Sequence, residues 1–180
     1  MLAVLLASAV ALAAGSKLPP APGEAELRSA FIYRFTQFVE WPVDSLARTG
    51  PTVALCVIGD EALAGALERS VQGKTLDERH YTVLRHGVND DLRACAVVYF
   101  GETSKSATRA TLGRLRSAPI LTVGEADEFA ESGGMIRLFR EDARLRFEID
   151  PGAAAASGLK LSAHLLRLAR IASRNAPEKH

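Results

Sequence analysis

The residues best suited to chemistry in this sequence are few and widely spaced. The 180 residues include two cysteines and four histidines. His80, His86 and His164 stand at no spacing from either cysteine that is typical of a metal site. Neither the HExxH motif of metalloproteases nor the GxSxG motif of serine hydrolases occurs. The sequence therefore predicts no metal site.

One short match to a catalytic motif occurs near the C-terminus. Ser157 and Lys160 spell S-x-x-K, the pattern of the serine nucleophile in class A β-lactamases. The other two elements of that enzyme class are absent from the sequence, so chance explains the match better. No phosphate-binding glycine loop follows a strand either. The sequence indicates a protein that is not an enzyme and needs no cofactor.

The two cysteines allow two interpretations. Cys56 and Cys95 are either joined in a disulfide or remain as two buried thiols in apolar strands. A bond between them closes a loop of about 40 residues and adds about 3 to 4 kcal/mol of stability in the chain-entropy model. An oxidising compartment favours the bond. The spacing alone does not show whether the two Cβ atoms meet.

The first residues indicate export to the periplasm. Residues 2–14 form an uncharged apolar run that small residues follow, the pattern of a cleavable signal peptide. The run is shorter than the ~18 residues of a membrane span, although no lysine or arginine precedes it. We predict a signal peptide at residues 1–14, a linker at 15–23, one domain at 24–174 and a flexible tail at 175–180.

Composition and charge indicate a globular protein that does not bind nucleic acid. Hydrophobic residues make up 48% of the chain and charged residues 24%, and the formal net charge is only +1. This balance suits a single domain with a substantial core. The most basic local series fits one solvated face of a helix better than a nucleic-acid site. It consists of Lys105, Arg109, Arg114 and Arg116.

Segments suited to strands alternate along the chain with segments suited to helices. A continuous apolar run at residues 52–58 predicts a strand covered on both faces. Asp60 after it predicts the N-cap of a helix that ends at Gly73. The alternation continues to a short acidic helix at residues 125–132. It predicts an α/β fold, a single-domain three-layer sandwich with a mostly parallel sheet flanked by helices.

The pattern changes in the last quarter of the chain. Residues 135–142 and 143–150 alternate in polarity on either side of a charged turn, which predicts a C-terminal β-hairpin at the sheet edge. Asp150 predicts the cap of a short helix, and Ser162 predicts the cap of a final helix at residues 163–173.

An aromatic stripe marks the first helix, which we predict over residues 24–41. Pro42 ends it because the residue before a proline is disfavoured in helical geometry. Apolar side chains recur at intervals of four, four and three residues and indicate a face that packs against the core. They are Leu27, Phe31, Phe35 and Phe38. Tyr33 and Trp41 lie off this stripe and are candidates for a surface role.

The carboxyl ends of the predicted parallel strands suggest a ligand cleft. In open α/β sheets, ligands bind beyond these ends, and glycines there allow backbone N–H groups to approach a ligand. The same glycines also suit ordinary turns between strand and helix. The residues predicted to line the cleft are Gly59, Asp60, Gly101, Glu102 and Gly124.

Several segments together resemble the YfiR family of periplasmic proteins. The resemblance extends from about residue 26 to residue 170, with the segments in the order of the family. It is carried by AFIYRFTQFVEWP at 30–42, LCVIGD at 55–60, ILTVGEADEFAESGGMIRLF at 120–139, LRFEID at 145–150 and LSAHLLRLAR at 161–170.

The resemblance implies a regulator. Proteins similar to YfiR dimerise and repress an inner-membrane diguanylate cyclase by binding its periplasmic sensor region, and an OmpA-like outer-membrane lipoprotein can sequester them. Cys56 and Cys95 match a cysteine pair of the family, which favours the disulfide. A second pair near the hairpin has no counterpart here, so redox control is not implied.

The resemblance also implies which residues contact a partner. The hairpin is similar to the partner-binding region of the family, so we expect Ile136, Leu138 and Glu148 to bind, with Arg146 and Trp41 as weaker candidates. Replacing Ile136 by aspartate is predicted to abolish binding and leave the fold intact. The alternative function is a periplasmic small-molecule-binding sensor that uses the strand-end cleft and acts on another membrane receptor.

Overall fold

The computed structural model describes residues 23–47 and 50–172. The predicted signal peptide and the predicted tail lie outside the described residues. In chain order the helices and strands are α1 (Glu24–Gln37), β1 (Val39–Glu40), α2 (Val43–Ala47), β2 (Thr52–Ile58), α3 (Glu61–Val71), β3 (Thr75–Leu76), β4 (Arg79–His86), β5 (Val97–Phe100), α4 (Lys105–Leu115), β6 (Leu121–Gly124), β7 (Ile136–Glu141), β8 (Arg144–Ile149), α5 (Pro151–Ala156), β9 (Lys160–Leu161), α6 (Ala163–Leu168) and β10 (Arg170–Ile171).

A large sheet organises the described part of the chain. Its eight strands lie in the order β10-β8-β7-β6-β5-β2-β4-β3. Neighbouring strands from β4 to β7 run parallel, whereas β3 pairs antiparallel with β4 and β8 pairs antiparallel with β7. A second, two-stranded sheet joins β1 to β9. The predicted α/β fold with a mostly parallel sheet is confirmed.

Helices cover both faces of the large sheet, as a parallel sheet requires. On one face, side chains of α1 and α3 form the larger core with alternate residues of β2, β5, β6, β7 and β8. On the other face, α4 packs against the remaining residues of β2 and β5 to form a smaller core. This arrangement confirms the predicted three layers. It also leaves α1 lying between the sheet and solvent.

The hairpin forms as predicted, but it does not end the sheet. Ile136 pairs with Ile149 at one end and Glu141 with Arg144 at the other. β10 then pairs with the outer side of β8. The sequence pattern predicted a helix over the residues of β10, but α6 ends at Leu168. The edge of β8 supplies the reason, because its carbonyl groups accept backbone hydrogen bonds such as that from Ala172 to Ile149, at 2.7 Å.

Two other helix predictions need correction. α1 ends at Gln37, four residues before the predicted end, because Val39 pairs with β9 and the Phe38 carbonyl accepts a bond from Ser162. Residues 127–133 form turns, and no helix forms over the residues 125–132 predicted to be an acidic helix. The ring of Phe129 packs there against the backbone of Gly124 and is fully buried. These turns place the ring in the smaller core.

Candidate functional site

The structure joins the two cysteines, which confirms the predicted disulfide. Cys56 lies in β2, and Cys95 lies in the turn before β5. Their Cα atoms are 5.9 Å apart, within the usual range for a disulfide. The backbone N–H of Ala96 donates to the Ala54 carbonyl at 2.9 Å and holds this turn beside β2. The disulfide therefore links β2 to the segment that leads into the neighbouring strand β5.

The two predicted anchors of the partner site are internal, which corrects the sequence interpretation. Ile136 and Leu138 are each 0% exposed and belong to the larger core beneath α1. The alternation of β7 does place them on one face, but that face packs against the helix layer. In this conformation neither side chain reaches a partner, and Ile136→Asp is not expected to leave the fold intact.

The other hairpin candidates lie on the opposite face of β7 and β8. Glu148 is only 13% exposed, and its carboxylate accepts a hydrogen bond from Arg137 Nε at 2.7 Å. Arg146 is exposed and lies 3.7 Å from the Glu141 carboxylate. Trp41, the remaining candidate, lies outside the hairpin after β1 and is partly buried against the larger core. Of these three, Arg146 has the side chain most accessible to a partner.

An apolar groove runs between α1, β8 and α6, and we name it the α1–α6 groove. It has a volume of about 410 Å³. Apolar side chains dominate its lining, and two basic side chains stand among them. The lining residues are Leu27, Ala30, Phe31, Arg34, Phe35, Phe38, Phe147, His164, Leu165 and Leu168. Three of the four residues of the aromatic stripe are therefore only partly buried, and they form one wall of this groove.

Aromatic contacts fix the shape of the groove. The ring of Phe147 lies 5.1 Å from that of Phe35 and 5.9 Å from that of Phe31, both in edge-to-face geometry. At the other end, Phe38 lies 5.2 Å from the His164 ring. Edge-to-face pairs hold rings in preferred orientations. The floor of the groove is consequently preformed, while Leu168 on its rim is 61% exposed.

A second cavity lies at the carboxyl ends of β2, β5 and β6, and we name it the strand-end cleft. Its volume is about 550 Å³. Four of the five residues predicted for the cleft line it, and Gly124 does not, because it is buried against Phe129. A side chain at Gly59 or Gly101 would overlap the backbone of the opposite loop. The lining residues are Arg28, Gly59, Asp60, Glu61, Ala62, Tyr99, Phe100, Gly101, Glu102 and Glu125.

A charged cluster occupies one side of the strand-end cleft. Arg28 reaches it from α1, and its Nη1 lies 2.9 Å from Asp60 Oδ2, 3.0 Å from Glu125 Oε1 and 3.0 Å from the hydroxyl of Tyr99. The Tyr99 hydroxyl donates to Glu125 Oε1 at 2.6 Å. The cluster thus ties α1 to the ends of three strands.

The cluster changes the acidity of two of its members. Burial, strengthened by the neighbouring Glu125 carboxylate, raises the pKa of Tyr99. Burial alone would lower the pKa of Arg28, but Tyr99 and Glu125 outweigh it and raise that pKa. At neutral pH Tyr99 therefore remains a hydrogen-bond donor, and Arg28 remains charged.

A comparison with known protein families finds a match that covers the groove and the cleft described above. The YfiR/HmsC-like family matches residues 25–170. The chain belongs to the YfiR/HmsC-like family. The family is one of periplasmic, non-catalytic regulators in the cyclic di-GMP pathway. Both the α1–α6 groove and the strand-end cleft lie within the matched residues.

Among residues 23–47 and 50–172, no helix has the length and the apolar character that crossing a bilayer requires.

Sequence reasoning missed both Arg28 and the groove of this family member. Arg28 precedes Ile32 and Phe35 by four and seven residues, so it lies at one end of the truly buried face of α1. A lone arginine on a buried stripe was a usable signal, because buried charges are usually paired. The groove had no such signal, since it depends on α6 lying beside α1.

Proposed function

We propose that this protein binds the periplasmic sensor region of an inner-membrane diguanylate cyclase and represses the enzyme, which lowers cyclic di-GMP signalling. Membership of the YfiR/HmsC-like family supports a regulator of this pathway. The α1–α6 groove is the structural observation on which the proposal rests. We assign partner binding to this groove in place of the buried face of the hairpin.

The chemistry of the α1–α6 groove suits an apolar segment of another protein. Its wall of partly exposed phenylalanines offers apolar area that a partner can remove from water. Arg34 and His164, both exposed, stand at its rim and suit the polar periphery typical of protein interfaces. Buried aromatic and aliphatic anchors commonly supply most of the binding energy. Arg146, Trp41 and Glu148 remain proposed partner contacts outside the groove. Glu148 would contribute together with Arg137, with which it forms an ion pair.

Repression follows if the protein binds one arrangement of the cyclase more tightly than the other. A bound protein shifts a conformational equilibrium only by the difference in its affinities for the two states. The proposal includes a homodimer and, as a competing partner, an OmpA-like outer-membrane lipoprotein. The resemblance to YfiR supports these two, and a lipoprotein that occupied the same groove would release the cyclase.

We expect Leu168→Asp to abolish binding to the purified periplasmic region of the cyclase. The side chain is 61% exposed and lines the groove, so the variant keeps its core and places a charge on the apolar wall. Val43→Asp is the matched control, because Val43 is 91% exposed and lies outside the groove. Calorimetric titration measures both. Undiminished binding by Leu168→Asp, or equal loss in Val43→Asp, would contradict the assignment to the groove.

The strand-end cleft supports the second candidate, a small-molecule sensor. Four carboxylates line it, and Arg28 is the one basic residue among its lining residues. Arg85, outside the lining, pairs with one of them, Glu61, at 2.6 Å. The remaining excess of negative charge favours a small cationic ligand such as an amine. The four carboxylates belong to Asp60, Glu61, Glu102 and Glu125.

A thermal-shift screen of small amines and small carboxylic acids tests this candidate. We expect an amine to raise the melting temperature, because a ligand of the folded state stabilises it. The shift should shrink in the double variant Glu102→Gln/Glu125→Gln and persist in Glu131→Gln, an exposed control that does not line the cleft. If no amine stabilises the protein, or if the double variant responds fully, the cleft is not a binding site for cations.

A further inference from the structure

The disulfide has a histidine beside it. The two sulfur atoms of Cys56 and Cys95 and a ring nitrogen of His86 all lie within 4.8 Å of one another. Three neighbouring strands bring them together, because His86 ends β4, Cys56 lies in β2 and Cys95 lies two residues before β5. These separations along the chain are long, which explains why the sequence showed no spacing typical of metal ligands.

A carboxylate holds the ring of this histidine. Asp90 Oδ2 lies 3.3 Å from His86 Nδ1 and accepts a hydrogen bond from the backbone N–H of Gly87 at 2.8 Å. The short loop after β4 thus fixes the carboxylate, and the carboxylate orients the imidazole. Metal-binding histidines characteristically have such a partner on the ring nitrogen that does not face the metal.

The surroundings of the two cysteines are apolar, whereas His86 lies at the edge of the site with its side chain 21% exposed. Both cysteines are buried in the smaller core, next to Leu92 and Ile58. A cavity of about 290 Å³ reaches Cys95 from outside and is lined in part by Ser45 and Arg93. This cavity offers an ion an approach from the side of Cys95, and the apolar core around the cysteines shields a bound ion from most of the solvent.

We propose that Cys56, Cys95 and His86 bind a divalent cation of the zinc type when the disulfide is reduced. Two thiolates and one imidazole leave the fourth tetrahedral position to water, a ligand set known for zinc. With zinc–ligand bonds of about 2.0 to 2.3 Å, the ligand atoms must stand roughly 3.5 Å apart. Rotation of the two freed cysteine side chains and a small approach of His86 provide that arrangement.

The reaction that opens the site balances as a thiol–disulfide exchange. A dithiol reductant gives two electrons and two protons to the Cys56–Cys95 bond and itself becomes a disulfide. The cation then displaces the two thiol protons as it binds, since a coordinating thiol is deprotonated. The disulfide and the metal complex exclude each other. A bound cation therefore protects the reduced protein from reoxidation and replaces the link between β2 and the start of β5.

Cobalt titration of the reduced protein tests the proposal. The full chain is reduced with a phosphine, which does not compete strongly for the metal, and Co²⁺ is added as a spectroscopic substitute for Zn²⁺. We expect one equivalent to bind with thiolate-to-cobalt charge-transfer absorption, and the oxidised protein to show none. The melting temperature of the reduced protein should rise with Co²⁺ or Zn²⁺.

Variants separate this site from two thiols that bind metal unaided. His86→Ala is expected to lose most of the affinity, and Asp90→Ala to lose about 10- to 100-fold, as for other residues that orient a ligand. His80→Ala is the matched control, because His80 is an exposed histidine on the same strand. The proposal is overturned if the reduced wild type binds no cobalt. It is also overturned if His86→Ala, or the wild type unfolded in urea, binds cobalt as tightly as the folded reduced protein.

Discussion

Ile136→Asp is expected to unfold the protein. The side chain is fully buried in β7, where Ile149 of β8 lies on one side and Val123 of β6 on the other. Substitution removes a large apolar group and places a carboxylate in the larger core without a partner. The expected loss exceeds about 5 kcal/mol, which is comparable to the whole stability of many domains.

Urea unfolding followed by circular dichroism measures this effect. Ile136→Val serves as the control, because it keeps the apolar character and should cost only about 0.5 to 1.5 kcal/mol. A cooperative transition of Ile136→Asp near that of the wild type would mean that β7 is exposed in solution. In that event the hairpin would return as a candidate for partner binding.

Loss of the disulfide is expected to lower the free energy of unfolding by about 4 kcal/mol. The cysteines are 39 residues apart, and the chain-entropy model gives about this value for a loop of that length. Most of the effect arises in the unfolded chain, which gains freedom when the bond is opened. The reduced protein should still unfold cooperatively, but at a lower urea concentration.

The comparison requires reduced and oxidised protein under the same conditions. The double variant Cys56→Ala/Cys95→Ala is the control, since a reductant should not alter its urea midpoint. Its own midpoint should lie below that of the oxidised wild type. An unchanged midpoint of the wild type on reduction would show that the unfolded chain gains little freedom when the bond is opened.

The architecture could be predicted because local patterns determine much of it. The continuous apolar run of β2 requires cover on both faces, and this requirement already indicates a parallel sheet between helices. Asp60 and Ser162 are N-caps as predicted, with side chains that accept hydrogen bonds from the backbone N–H groups of Leu63 and Leu165. Such signals act within a few residues, so the sequence alone reveals them.

The candidate sites were harder to predict because they depend on contacts between distant segments. Alternation in β7 shows that Ile136 and Leu138 share a face, but not that α1, about a hundred residues earlier, covers that face. The same gap concealed the pairing of Arg28 with Glu125, 97 residues away. Likewise, α6 fails to extend because β8 offers hydrogen bonds to the segment that follows it.

The position of the disulfide has a consequence for protease resistance. The segment between Cys56 and Cys95 contains α3, β3 and β4, which form one flank of the large sheet. A protease that cuts the backbone anywhere within this segment leaves both fragments attached through sulfur. The disulfide keeps the two fragments close together, so their effective concentration is high and the packing contacts between them can re-form. A single cleavage in this segment therefore does not separate the molecule into pieces.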